Sequence, residues 1–351
     1  MQTVHYTYMQ RCLQLAGLGA GYVAPNPMVG AILVHEGNII GEGYHKQYGD
    51  LHAEPNCINN VPEDKKHLIP ASTLYVSLEP CAHFGKTPPC ADLIIKNKIK
   101  KVVVGCRDPF GEVNGKGIDK LCNAGIEVIL GEWENECKEL NKRFFTFHTQ
   151  HFPYIVLKWA QTANGKIAAI SEKKERSRLF ISNEYTRRLV HKWRSEEQAI
   201  LVGANTALTD NPSLTNRLWN GRNPVRMVID RDLSLPASLA LFNKEAQTII
   251  FNTVKHEEKK NLRYYRLANG ASLAQQICDA CRLLNIQSVL IEGGTQLLQL
   301  FIDAGLWSEC RIITNEKMYV ENGLAAPELN NALLTASEHL LNDRIDYFRK
   351  K

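Results

Sequence analysis

No apolar run in this chain approaches the roughly 20 residues that cross a bilayer as a helix. The opening residues mix His5, Tyr6, Tyr8, Gln10 and Arg11 into an amphipathic pattern and lack the basic and apolar blocks of an export leader. A cytoplasmic chain without a membrane partner is therefore expected. Charge of one sign is also scarce. Lys and Arg number 42 against 37 Asp and Glu, a formal net charge of +5. That is too mild and too dispersed to imply nucleic acid, though it suits a small anionic substrate. The fingerprint G-x-G-x-x-G is missing, which argues against a standard Rossmann dinucleotide site. Without an export signal, the ten cysteines read as thiols and not as a disulfide framework. One pair, Cys278-Asp279-Ala280-Cys281, has the spacing of a redox or metal motif but no second ligand pair. It falls on a helical apolar stripe, so it reads as core packing.

What the sequence does have is concentrated between His52 and Cys90. His52-Ala53-Glu54 is followed, after an apolar strand, by Glu79-Pro80-Cys81 and, beyond a loop, Pro88-Pro89-Cys90. One imidazole and two thiolates suit zinc with a fourth corner left open, as catalytic zinc requires and a closed structural site does not. Zinc would lower the pKa of a water there to about 7. Glu54 supplies the complement: a carboxylate beside the metal can take the water proton, deliver it to a ring nitrogen and protonate a departing amine. His-x-Glu with Pro-Cys and a second Cys is the zinc-deaminase signature, in which the Glu is not a ligand. Residues two apart diverge in mid-helix, so His52 and Glu54 can converge only at a helix's first turn. The signature's usual Cys-x-x-Cys is replaced by a long insertion, with Pro88-Pro89 setting Cys90 at a helix start. The competing readings are a Cys81–Cys90 disulfide, two buried thiols, or a structural zinc with His83 as fourth ligand.

At 351 residues the chain has room for two domains, and the boundary is expected near residue 150. The pattern predicts an opening helix, a hairpin around Gly37-Asn38, and then helices alternating with strands at 72–78, 101–105 and 126–130. A single charged helix is predicted over Glu132–Phe147. The second half restarts with a strand at Tyr154–Lys158 and a tight turn at Ala163–Lys166. A charged loop follows over Ser171–Arg178, then a helix to Arg194 capped by Ser182. Strands are predicted at 199–202, 225–230, 248–251 and 289–291, and a helix at Gln296–Ala304 after Gly293-Gly294. Both halves read as α/β. Taken alone, Gly293-Gly294 is more simply a turn, Asn26 a turn residue, and Arg194 and Arg217 solvated cations.

Several further motifs occur together and in order. In the first half they are Pro25-Asn26-Pro27-Met28-Val29-Gly30, Gly43-Tyr44-His45, His52-Ala53-Glu54, the Pro80-to-Cys90 block, and Asp108-Pro109 with Gly115-Lys116-Gly117. In the second half they include Leu157-Lys158, Asn164-Gly165-Lys166-Ile167-Ala168, Asp210-Asn211-Pro212-Ser213-Leu214-Thr215, Asn223-Pro224-Val225-Arg226 and Glu292-Gly293-Gly294. The chain thereby resembles the RibD family of bifunctional riboflavin-biosynthesis deaminase/reductases. The long Cys81-to-Cys90 insertion separates it from cytidine and tRNA-adenosine deaminases.

The resemblance implies a cytidine-deaminase-like three-layer αβα domain over 1–150 and a dihydrofolate-reductase-like α/β domain over 151–351. The first would deaminate 2,5-diamino-6-(5-phosphoribosylamino)pyrimidin-4-one, with His52, Cys81 and Cys90 on zinc, Glu54 catalytic, and Asn26, His45, His83 and Lys86 at the substrate. The second would reduce the ribosyl chain of the product with NADPH. Its implied cofactor contacts are Ala160, Phe180, Thr206, Asp210, Gly294 and Thr295, and its implied sugar-phosphate contacts are Lys158, Arg178, Arg194, Leu214, Arg217 and Glu292. Phosphorylated pyrimidines are the expected partners and a homo-oligomer the expected assembly. Asn164 and Phe180 stand where the family usually has Asp and Trp, so Asn164 is left out of the site. The alternative is a nucleoside or tRNA deaminase carrying an unrelated C-terminal domain.

Overall fold

A computed structural model describes residues 2–84, 88–170, 176–177 and 179–351. The chain divides into two compact units, Met1–His151 and Phe152–Lys351. The charged loop expected over 171–178 lies outside the described residues, apart from the short strand Arg176–Ser177. Among the described residues no helix is long and apolar enough to cross a membrane.

The first unit is built on a five-stranded sheet. Gly30–His35 pairs antiparallel with Asn38–Tyr44 across a turn in which Glu36 and Gly37 both have positive φ (47° and 80°). Two positive φ angles match the twist of a two-residue hairpin. Gly30–His35 also pairs antiparallel with Thr73–Leu78, beyond which Lys101–Cys106 and Glu127–Leu130 run parallel. Side chains alternate along each strand, so one strand feeds two cores. Ala31 and Leu33 pack with Ala53 and Cys57, with Ala91 and Ile94, and with Leu121. Ile32 and Val34 pack with Met9, Cys12 and Leu15 of the opening helix Gln2–Gly17 and with Cys137. The result is three layers, helix on sheet on helix.

One expected element is broken. The stretch predicted as a single helix over Glu132–Phe147 forms two, Glu134–Leu140 and Lys142–Gln150. Asn141 lies between them, buried, with its amide nitrogen donating to the Met28 carbonyl and its amide oxygen accepting the Met28 N–H, both at 2.8 Å. A buried amide paired in both directions to a distant strand entry overrides a helical pattern that periodicity alone supports.

The second unit carries a ten-stranded sheet. Its centre is parallel: Thr248–Asn252, Val225–Ile229, Ala199–Gly203, Ser288–Glu292, Tyr154–Thr162 and Glu309–Asn315 lie side by side. These strands are apolar on both faces because both are covered, giving cores around Leu157, Leu201 and Phe301 on one side and Val156, Ile200 and Val228 on the other. The helix that ends in Glu196 is capped by Asn183, whose side chain accepts the N–H groups of Tyr185 and Thr186, and not by Ser182. Asn is at least as good an N-cap as Ser, and here it stands one residue closer.

Arg226 is fully buried with no carboxylate bonded to it among the described residues. Neutral oxygens satisfy it: Ala246 O at 2.7 Å, Asn243 Oδ1 at 2.8 Å, Ala240 O at 3.0 Å and Thr248 Oγ1 at 3.1 Å. Past the helix Thr295–Asp303 the sequence reading assigned nothing. The chain there adds Glu309–Asn315 to the sheet centre and Asp343–Lys350 and Ala332–Leu340 to one edge.

In the first unit a close approach positions the helix Ala53–Asn59. A Cβ on Gly43 would lie 2.2 Å from Cys57 N and 2.6 Å from Ala53 O, so strand and helix meet backbone to backbone. Gly43→Ala is expected to push this helix off the sheet, at a cost of about 1–3 kcal/mol. Urea unfolding and zinc content, measured on the same preparation, should both fall relative to the parent chain.

Candidate active sites

Three segments converge in the first unit. His52 is the N-cap residue of Ala53–Asn59, in extended geometry (φ −69°, ψ 177°), so its ring and the first-turn Glu54 point the same way. Cys81 follows the strand Thr73–Leu78, and Cys90 opens the helix Cys90–Lys96 with Pro89 before it. His52 Nδ1 lies 3.6 Å from Cys81 Sγ and 3.3 Å from Cys90 Sγ. Zinc bonds of about 2.3 Å to sulfur and about 2.0–2.1 Å to nitrogen span a tetrahedral edge of about 3.6 Å. The donor set and its spacing therefore fit zinc. Among the described residues these three side chains are the only such cluster, and His83 is not part of it. Cys81 and Cys90 are both free thiols.

The two sulfurs are unlike. Cys81 is held below the ordinary thiol range by hydrogen bonds from the Cys90 thiol, His52 and the Cys90 N–H, the last at 3.3 Å. Cys90, donating to Cys81 and buried, is pushed up. Glu54 is 3% exposed, and burial, aided by the Cys81 charge, raises its carboxyl to about 7. A bound dication acts in the opposite sense, favouring the carboxylate and both thiolates.

Of the residues that the resemblance placed at the substrate, Asn26 and His45 adjoin the cluster. The rings of His45 and His52 stand edge to face at 5.4 Å. Leu51 O, 3.0 Å from His45 Nδ1, can only accept, so Nδ1 carries the proton and Nε2 accepts from the Asn26 amide at 3.1 Å. Burial holds His45 below its ordinary pKa, and hence neutral. His83 packs against Phe110, 6.2 Å between centroids, with its Nδ1 buried and unpartnered among the described residues. Lys86 lies outside the described residues, as does Arg178 in the second half.

In the second unit the remaining expected contacts line one cleft of about 890 Å³. Lys158, Arg194, Leu214, Arg217 and Glu292 line it, as do His191 and Ala160, Phe180, Thr206, Asp210, Gly294 and Thr295. Arg194 grips Glu292 in a two-pronged pair, Nε to Oε1 at 3.1 Å and Nη2 to Oε2 at 2.7 Å. Against the penalty of burial, Arg194 and Lys158 hold Glu292 down to about 2. Lys158 is itself lowered by burial while Glu292 pulls it back up. The Gly293-Gly294 turn is anchored by Gly294 N donating to Thr206 Oγ1 at 3.1 Å. Gly293 has φ +119°, a backbone that L side chains rarely adopt. Asn164 serves the turn, bonding Thr162 Oγ1 and Val320 O.

The sequence reading missed His191. It lines the cleft, nearly buried, and its Nδ1 accepts the Arg217 N–H at 3.0 Å, tying the helix that carries Arg194 to the loop that carries Arg217. Burial and the charges of Arg194 and Arg217 lower it to about 4, so it stays neutral. The available signal was spacing: His191 stands three residues before Arg194 on a helix, hence on the same face.

Residues 153–318 match the RibD C-terminal domain, and residues 2–106 match the cytidine and deoxycytidylate deaminase zinc-binding region. The riboflavin biosynthesis protein RibD of Aquifex aeolicus is 38% identical, covering 100% of this chain and 99% of its own. The chain belongs to the RibD family. RibD of Actinobacillus pleuropneumoniae is 38% identical over 85% of this chain and 80% of its own. A solved deaminase/reductase from Thermotoga maritima superposes with a TM-score of 0.89 at 36% identity, covering 100% and 99% of the two chains. RibD of Acinetobacter baumannii gives 0.88 at 29%, with the same coverage. The fold is thus a cytidine-deaminase-like domain followed by a RibD reductase domain, and the chain is a bifunctional deaminase/reductase of riboflavin biosynthesis that uses zinc and NADPH. The alternative with an unrelated C-terminal domain falls to the match over 153–318.

The Glu292 pair has a pH signature. Its folded pKa of about 2 lies below the ordinary ~4.3 of a glutamate. Its stabilisation is therefore fully present above the ordinary value and is lost as pH falls toward 2. Glu292→Gln leaves Arg194 and Lys158 without their counter-charge, at a cost of about 3–5 kcal/mol near neutrality. Urea titrations of parent and variant should show that gap constant above about pH 5 and closing toward pH 2.

Proposed function

We propose that the two units carry out consecutive steps on one phosphorylated pyrimidine. The first converts 2,5-diamino-6-(5-phosphoribosylamino)pyrimidin-4-one to 5-amino-6-(5-phosphoribosylamino)uracil, and the second reduces the ribosyl chain of that product to ribityl. The Thermotoga maritima relative is a diaminohydroxyphosphoribosylaminopyrimidine deaminase and 5-amino-6-(5-phosphoribosylamino)uracil reductase, which supports this pair of substrates. The observation that carries the first step is the approach of His52, Cys81 and Cys90 beside the buried Glu54 carboxyl.

In the first step His52, Cys81 and Cys90 hold zinc, which supplies the Lewis acidity that makes water a nucleophile at neutral pH. Glu54 takes one proton of the attacking water and passes it to the ring nitrogen beside the reacting carbon, then takes the second proton of that water and gives it to the departing amine. Its low-dielectric surroundings suit a group that must both take and return a proton near neutrality. Neutral His45, fixed by Leu51 and Asn26, orients the ring from the side. His83, and Lys86 by resemblance, meet the substrate beyond it.

In the second step the cleft would hold NADPH, which would supply the hydride for the carbonyl exposed when the ribose ring opens. Lys158, Arg194 and Arg217, with Arg178 by resemblance, clamp the sugar phosphate, and Glu292 keeps Lys158 and Arg194 in place from behind. Leu214 gives the phosphate a backbone contact. Ala160, Phe180, Thr206, Asp210, Gly294 and Thr295 form the cofactor side. The domains divide near residue 150, and cytoplasmic NADPH and reduced cysteines are consistent with a cytoplasmic enzyme. Neither nucleic acid nor a membrane enters this scheme.

A homo-oligomer is favoured by the sheet edges. One edge, Glu257–Lys259, is three charged residues long. The other, Ala332–Leu340, has nine residues, with Leu333 and Leu334 more than half exposed. Short charged edges deter pairing, and long apolar ones invite it. Leu334→Lys should lower the mass seen by sedimentation.

Glu54→Gln should keep its zinc and lose ammonia release by about 10²–10⁴-fold, while NADPH-dependent reduction of supplied deaminated substrate is unchanged. Unimpaired deamination would remove Glu54 from the mechanism. Loss of both reactions would contradict two separate sites.

A further inference from the structure

Glu79 stands two residues before Cys81, and none of the chemistry above uses it. Its side chain is 4% exposed and has no ion pair among the described residues. Instead it accepts four backbone N–H groups. Oε2 takes those of Asp108 at 3.2 Å and Gly115 at 3.0 Å, and Oε1 takes those of Gly117 at 3.0 Å and Ile118 at 3.2 Å. Its own N–H donates to Cys106 O at 3.0 Å. Gly115, Gly117 and Ile118 lie at the start of the helix Lys116–Asn123, where N–H groups have no partner within the helix and carry partial positive charge. Hydrogen bonds to an ionised acceptor are about twice as strong as neutral ones. This carboxylate therefore ties two pieces of backbone together beyond the strand pairing that precedes it.

Both pieces serve the deaminase site. On one side, Glu79 leads through Pro80 directly into the ligand Cys81. On the other, the loop it grips carries Phe110, whose ring meets His83 at 6.2 Å and His148 at 5.1 Å. The two pieces are in contact beyond the carboxylate as well: a Cβ on Gly117 would lie 1.9 Å from Pro80 O, so only glycine lets the helix start sit there.

We propose that Glu79 is a positioning residue of the deaminase site, one that sets the Pro80–Cys81 segment in register with the 108–118 loop, and so the metal ligand in register with the substrate wall. The proposal rests on the reading of His52, Cys81 and Cys90 as a zinc site. The requirement is for a carboxylate and not merely for a side chain of this size. The amide of a glutamine has one oxygen, and whichever way it is turned its NH₂ faces two N–H donors, leaving buried donors unpaired.

The test uses the full chain as parent, E79Q and E79D. Zinc affinity is read by competition with a chelator using zinc alone. Ammonia release is read as kcat and KM at saturating zinc, and NADPH-dependent reduction and the melting temperature are read alongside. E79Q is expected to bind zinc 10–100-fold more weakly and to release ammonia with kcat at least tenfold lower even when zinc-loaded. E79D, with the charge kept but drawn back, should recover part of both, and the reductase rate should be unchanged in each. If E79Q melts lower yet binds zinc and turns over as the parent does, Glu79 only caps a helix and the proposal is overturned. If E79Q does not fold, E79D is judged by the same two readouts. A parent chain that fails to bind zinc sinks the reading of the site itself, whereas a zinc-binding parent with an indifferent Glu79 sinks only the positioning role.

Discussion

The constraint on which the first unit depends is the approach of two sulfurs to within 3.3–3.6 Å of one imidazole nitrogen. Nothing in the chemistry of the free side chains favours this. Burial penalises charge on either sulfur, and one thiol holds the shared proton at the expense of the other. The arrangement is imposed by backbone. A helix begins one residue after His52, a strand ends shortly before Cys81, and Pro89 starts a second helix at Cys90. Each ligand sits at an element boundary, where side-chain direction is fixed by the element behind it and access is left open in front. Glu54 shares the first of these boundaries, so the proposed proton carrier and the candidate metal ligand are placed by a single helix start.

The second unit solves a different electrostatic problem. On the proposed function its cleft must be cationic enough to hold a phosphate without its cations repelling one another. Glu292 lies among Lys158, Arg194 and His191, anionic because two cations hold it so. His191 stays neutral because burial, and after it the two guanidinium groups nearby, disfavour a further positive charge. It is thereby kept as an acceptor for the loop that carries Arg217. Elsewhere in this unit a cation is buried with no carboxylate bonded to it among the described residues. Arg226 distributes its charge over neutral oxygens between residues 240 and 248, which links that turn to the sheet.

Much of this was legible in the residues, and where it was not the reason is long-range contact. The zinc ligands could be read because residue type and motif coincide, and the strands because apolar runs between turn residues are local signals. The break at Asn141 could not, since its cause is a pair of hydrogen bonds to Met28, more than a hundred residues away in sequence. The cap at Asn183 was missed by one residue, a distinction that depends on which oxygen reaches the Tyr185 and Thr186 N–H groups. The C-terminal strands escaped because Ala332–Leu340 is exposed on both faces and shows no inward and outward alternation. His191 and the cluster around Glu292 became visible only when distant segments met, although Arg194 and Glu292 had been named through the resemblance.

The glycine at 43 gives the deaminase unit a kind of mechanical tolerance. Where the helix behind His52 rests on the neighbouring strand at this residue, backbone meets backbone, and the gap there is set by main-chain atoms. A seat of that sort has no rotamers to change and no packing to relax. Volume changes elsewhere in the core are taken up by other layers, while the ligand and its proton carrier keep their height above the sheet. The unit can therefore vary widely in its apolar interior without its reactive corner drifting.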